Sequence, residues 1–159
     1  MRRADRAVTA EQEILTILEE CIVCRLGMSV NDTPYVVPLN FGFEYEEGKL
    51  TLYFHSGNQG KKLEMLRGNP KVCFEMDCAA EVVANEQPCS FSMRFKSVIG
   101  TGRVEFLVAD ADKLHGLRVL LRNIDKTKDF KDARFTDTQL RGVTVFKLSV
   151  DEFEVKCAK

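Results

Sequence analysis

Tyr35, Val37, Leu39, Phe41 and Phe43 occupy every second position of one uninterrupted run. Only an extended chain puts such a set on one face, because side chains alternate across a strand but repeat about every 3.6 residues on a helix. The run 35–45 therefore reads as a strand, with Val36, Pro38, Asn40 and Gly42 on its other, small and polar face. Glu46-Glu47-Gly48 turns it into a second run, Lys49 to His55, where Leu50, Leu52 and Phe54 oppose Thr51, Tyr53 and His55. Residues 22–30 form a preceding strand, joined through Asn31-Asp32-Thr33. Three strands in immediate succession point to antiparallel pairing.

Further strands are expected at Lys71–Met76, Ser90–Phe106 and Val143–Val150. In the long one the apolar register set by Phe91, Met93 and Phe95 breaks near Lys96-Ser97-Val98, and Gly100 and Gly102 follow, which suggests a bulge or barrel corner. Thr9-Ala-Glu-Gln12 has the form of a capping box opening a helix to about Glu20, with Ile14, Ile17, Leu18 and Cys21 as its apolar stripe. A short helix runs from Lys61 to about Arg67, stopped by Gly68-Asn69-Pro70, and Asp110 could cap another running to about Asn123. No repeat or linker divides residues 1–159. The expected fold is one mainly β domain, an antiparallel β-barrel with peripheral helices.

Charge narrows the partners. With 23 basic and 24 acidic residues mixed along the chain, nothing advertises a nucleic-acid or anionic-membrane surface. No run approaches the roughly eighteen apolar residues of a membrane span, and Met1-Arg2-Arg3-Ala4-Asp5-Arg6 is not followed by an apolar leader core, so a cytoplasmic protein is expected. The cysteines at 21, 24, 73, 78, 89 and 157 then read as reduced thiols. A zinc site is excluded, because Cys21-Ile-Val-Cys24 has β-branched residues where a metal knuckle needs a turn.

The stretch FHSGNQGKKLEML, residues 54–66, carries the chemistry. A strand ends on His55, a loop of Ser56, Gly57, Asn58, Gln59 and Gly60 offers small side chains and open backbone N–H groups, and Lys61 and Lys62 occupy the first turn of a helix. Cations are disfavoured there by about 0.3–1 kcal/mol each. A phosphate reverses the sign, since the dipole, the free N–H groups and both ammonium groups attract it together. A solvated basic turn is the plain alternative. Pro38 cannot donate a ladder hydrogen bond, so it marks an edge or interrupted pairing, where Pro38-Leu39-Asn40 could offer backbone groups to a flat heteroaromatic ligand or simply protect an edge.

On these residues the chain resembles the flavin-binding split-barrel family that includes pyridoxamine 5′-phosphate oxidase, and within it the nitroimidazole-resistance branch. The resemblance rests on MRRADR, YVVPLNFGFEY, LYFHSGNQGKKLEMLRGNPKVCFEMD, FKSVIGTGRVEFL and VTVFKLSVDEFEVK in that order. It implies a homodimer with FMN in clefts between subunits, and FAD is compatible. Val37, Pro38, Leu39 and Asn40 would then lie along the isoalloxazine. His55 and Ser56 would stand near the ring and ribityl chain, Lys61 and Lys62 would hold the phosphate, and Ser97 and Val98 would reach the cofactor across the dimer. His55 would serve as the catalytic residue. The arginine and histidine that bind substrate near the end of the oxidases have no counterpart in DEFEVKCAK, which points away from pyridoxamine phosphate. The reading is a flavin-dependent oxidoreductase for a small planar acceptor. With no G-x-G-x-x-G fingerprint, NADH or NADPH would be a transient donor. The alternative is a carrier or sensor that holds flavin or haem without turnover.

Overall fold

The computed structural model describes residues 3–158; Met1, Arg2 and Lys159 lie outside the described residues. In chain order it contains α1 (Glu11–Glu20), β1 (Cys24–Val30), β2 (Thr33–Leu39), β3 (Gly42–Glu46), β4 (Lys49–Gly57), α2 (Lys61–Gly68), β5 (Lys71–Val83), β6 (Ser92–Leu107), α3 (Asp110–Ile124), α4 (Asp137–Arg141) and β7 (Val143–Ala158). The strands form one seven-stranded antiparallel sheet in the order β2-β1-β5-β6-β7-β4-β3. Two-residue hairpins at Asn31-Asp32 and Glu47-Gly48, all at positive φ, set the β1–β2 and β3–β4 registers.

The two edge strands share one core. Tyr35, Val37 and Leu39 from β2 and Phe43 and Tyr45 from β3 pack against the same buried cluster, which includes Leu26, Leu52, Phe54, Phe74, Phe146 and Leu148. A sheet whose opposite edges meet over a common interior is curled into a split barrel. Ile17 and Leu18 of α1 and Leu63 and Leu66 of α2 complete that interior. On the outer face of β4 and β7, Tyr53 and Val145 pack under Leu117 and Val119 of α3 and Leu140 of α4. Among the described residues no helix is long and apolar enough to cross a membrane.

Several expected boundaries move for physical reasons. The run 35–45 is two strands on opposite edges, because the chain crosses the barrel at Asn40-Phe41. There the Asn40 side chain donates to Ile22 O at 3.1 Å and Asn123 Nδ2 donates to Phe41 O at 3.0 Å, replacing ladder bonds. β5 and β7 run on to Val83 and Ala158. The apolar phase does switch at Ser97-Val98, where consecutive residues are buried, and a bulge falls between Thr101 and Gly102 in the β6–β7 ladder, although Lys96-Ser97-Val98 itself pairs continuously with both neighbours. The irregularities sit in those neighbours, at Ala79-Ala80 of β5 and Asp151 of β7. Gly100 instead serves close packing: a Cβ there would lie 2.6 Å from Glu152 O and from the Phe74 ring. α1 begins at Glu11 with no side-chain cap, so Thr9 forms no capping box, and Asp110 is the first residue of α3 rather than its cap. The capping box of the molecule is at Thr136 and Gln139, opening α4 in a stretch left unassigned from sequence.

Candidate functional site

β4 presents two faces at its end. His55 lies on the outer face with Thr51 and Tyr53, while Ser56 points inward and is only 6 % exposed. Its hydroxyl Oγ is buried without a hydrogen-bond partner among the described residues. A buried unsatisfied hydroxyl costs about 1–3 kcal/mol, so this atom is a position where a ligand group would be welcome. His55 is open by surface area yet crowded on its protein side. Desolvation first, and the Lys62 ammonium second, hold its pKa below the ordinary imidazole value.

After Gly57 the loop reaches Gly60 at φ +127°, a conformation side chains resist, and enters α2. Gly60 O accepts from Leu63 N at 2.9 Å and Glu64 N at 3.3 Å, so the N–H groups of Lys61 and Lys62 are the unbonded ones of the first turn. Leu63 and Leu66 anchor the helix in the core and keep this end at the surface. Among the described residues no carboxylate pairs with either lysine. Lys61 Nζ lies 4.7 Å from the centroid of the Tyr35 ring, which ties the start of α2 to β2. The barrel thus brings together β2, the end of β4 and the amino end of α2.

Along β2, Val37 and Leu39 are half-buried and Pro38 and Asn40 exposed. As an edge strand paired only to β1, β2 leaves the main-chain groups on its outer side open. Ser97 and Val98 lie elsewhere in the chain. His55 is opposite Val145, Val145 is opposite Leu107, and Ser97 is ten residues from Leu107 along β6. That is roughly 33 Å of extended strand. Val98 is fully buried in the core and Ser97 nearly so. Within one chain these two do not join the cluster around His55. The six cysteines are free, and burial raises the Cys24 pKa to about 12. Among the described residues no group of three His, Cys, Asp or Glu side chains could hold a metal.

A profile of the pyridoxamine 5′-phosphate oxidase family matches residues 10–157. The chain belongs to that family. Among solved structures it is similar to a candidate 5-nitroimidazole antibiotic resistance protein from Bacteroides thetaiotaomicron, at 35% identity and TM-score 0.78, with 94% of this chain and 85% of that chain covered. Two more distant structures share the fold. The flavocytochrome Anf3 from Azotobacter vinelandii is 22% identical, with TM-score 0.80 over 100% of this chain and 72% of its own. A FAD and heme binding protein from Mycobacterium smegmatis is 18% identical, with TM-score 0.82 over 97% and 74%. No curated protein matches the chain significantly.

The family match spans every candidate residue from Val37 to Val98. Two neighbours of this corner act through groups distant in sequence. Tyr35 lies on the apolar face that its period predicts, and its ring also seats Lys61. Asn58 belongs to a small polar loop by sequence, and in the fold its side chain makes two long-range hydrogen bonds. A third arrangement lies beside the site. Glu44 accepts from the Tyr53 hydroxyl at 2.7 Å and stands 3.0 Å from His115 Nε2. No local signal links Glu44 to a helix residue so far along the chain.

Proposed function

We propose that the chain is a homodimeric flavoprotein oxidoreductase that binds FMN, with FAD as a compatible form, and reduces a small planar acceptor of the nitroimidazole kind. The observation that carries this reading is the conjunction at one corner of the barrel. Among the described residues Lys61 and Lys62 stand without carboxylate partners at the amino end of α2, joined by the short loop 57–60 to Ser56, whose hydroxyl is orphaned. An anion with further hydroxyl groups satisfies all three, and a ribityl phosphate has both.

When bound, the flavin supplies the electrons for the acceptor. Lys61 and Lys62 hold its phosphate against the helix N–H groups, and Ser56 Oγ bonds the ribityl chain. The open edge of Val37, Pro38, Leu39 and Asn40 gives the flat ring its backbone partners. His55 faces outward at the end of β4 with a lowered pKa, so at neutral pH it is a neutral imidazole. In that state it orients an acceptor by a hydrogen bond and passes on a proton only as pH falls. Ser97 and Val98 are buried and paired on both sides within β6, so it is the β6 segment around them, rather than these two side chains, that a second copy brings to the flavin. NADH or NADPH acts as a passing donor.

The test is the purified protein's visible spectrum, identification of the released chromophore, and NADPH oxidation with a panel of nitroaromatic acceptors. Flavin bands with acceptor-dependent turnover are expected. Flavin bound without turnover favours the carrier reading, and haem bands or no chromophore uptake from added FMN overturn the proposal.

A further inference from the structure

The loop between His55-Ser56 and Lys61-Lys62 is built to be loose. Asn58, Gln59 and Gly60 are exposed, and a Cβ added at Gly57 or Gly60 would touch nothing. Among the described residues the only side-chain hydrogen bonds this loop makes are those of Asn58. Its Nδ2 donates to Arg141 O at 2.7 Å, and the hydroxyl of Thr144 donates to its Oδ1 at 2.9 Å. Arg141 is the last residue of α4, so its carbonyl is one of those a helix end leaves without an internal partner. Thr144 is the ladder partner of Ser56. Asn58 thus closes α4, caps the end of the β4–β7 ladder and fixes the loop, all with one amide.

We infer that Asn58 is a positioning residue for the proposed flavin site: it touches no cofactor, and it sets where Lys61 and Lys62 stand relative to His55 and Ser56. This rests on the flavin reading. The physical reason is that a helix start reached through an unpinned glycine loop samples many placements, and a phosphate site made of two flexible ammonium groups binds only where both converge. Pinning the loop removes that ordering cost before the ligand arrives. Because only the phosphate meets the lysines, the effect is confined to phosphorylated flavin. Riboflavin, which lacks the phosphate, is indifferent to Asn58.

The experiment titrates FMN and riboflavin into the full chain by flavin fluorescence, using the natural sequence, Asn58→Ala and Thr144→Val. Thermal melts confirm that each variant is folded. Asn58→Ala is expected to weaken FMN roughly tenfold and leave riboflavin unchanged, and Thr144→Val, which removes one of the two bonds, to weaken FMN by a smaller factor. In the double variant the two losses do not add. Amide exchange at Leu63 and Glu64, whose N–H groups bond Gly60 O at the start of α2, rises in the flavin-free protein in Asn58→Ala. Equal weakening of both flavins, unchanged FMN affinity, or unchanged exchange at Leu63 and Glu64 overturns the assignment. If the natural chain binds neither flavin, the flavin reading itself falls and takes this role with it.

Discussion

The chain has two histidines, and both stand on the α3 side of the strands at β4, yet their surroundings differ in kind. His115 lies 3.0 Å from Glu44, and its ring meets Tyr53 edge-on with centroids 5.5 Å apart. Tyr53 in turn donates to the same carboxylate, and burial together with that bond raises the tyrosine pKa. Both Glu44 oxygens, the Tyr53 hydroxyl and His115 Nε2 thus find partners within the fold. Among the described residues His55 has no hydrogen-bond partner, and its electrostatic neighbour is Lys62, a like charge whenever the imidazole is protonated. A histidine tied to a carboxylate and a ring fastens α3 to the sheet. One that is partly desolvated and faced by a cation gains nothing from its own chain, and its partner must come from outside.

The sharpest way to break this contrast is to remove the cation. Lys61→Glu with Lys62→Glu places carboxylates at the amino end of α2, where they suit the helix but repel phosphate. FMN affinity is expected to fall by at least roughly a hundredfold, with melting temperature unchanged or slightly higher. A fluorescence titration showing unaltered affinity would remove the lysines from the site. Next in size is the pair of histidine deletions. His55→Ala should lower acceptor reduction by the flavin-loaded enzyme roughly tenfold to a hundredfold, while His115→Ala leaves it unchanged. If the two variants lose turnover alike, the distinction drawn from their partners is wrong. His115→Ala should instead cost stability, by less than about 1 kcal/mol because the pair is largely solvent-screened, read from denaturant melts.

How far these features could be read from sequence depends on how local their causes are. The lysine pair, the glycine loop and the outward face of His55 are set within a few residues, and period and helix electrostatics reveal them. The roles of Tyr35 and Asn58 depend on groups far along the chain; Arg141 is 83 residues from Asn58. Two segments of the same pattern show the limit. Thr9-Ala-Glu-Gln12 and Thr136-Asp-Thr-Gln139 are both Thr-x-x-Gln, but only the second closes a capping box. At the first, Val8 N donates to Val155 O and Ala7 bridges Lys156, so docking onto β7 holds the chain extended through Ala10 and the helix starts later. The crossing at Asn40-Phe41 was invisible for a related reason: the apolar alternation continues through it while the strand changes edges. The ends of β5 and β7 were cut short because Asp77, Glu81 and Asp151 dilute the apolar pattern where the strands leave the core.

The smallest effect is the most discriminating. Because folding lowers the pKa of His55, the unfolded chain holds more protons than the native one once pH drops below the ordinary imidazole value. The native state is therefore destabilised as pH falls through that range, reaches the full penalty below the folded pKa, and feels nothing above the unfolded one. His55→Gln should flatten this part of the stability profile without altering it at pH 8. Nuclear magnetic resonance of the imidazole protons gives the direct reading: His55 should titrate below about pH 6.5 in the free protein. FMN should then raise its midpoint, since a bound phosphate offsets the charge of Lys62. A midpoint that stays put when FMN binds would mean that the anion and the histidine do not share a site.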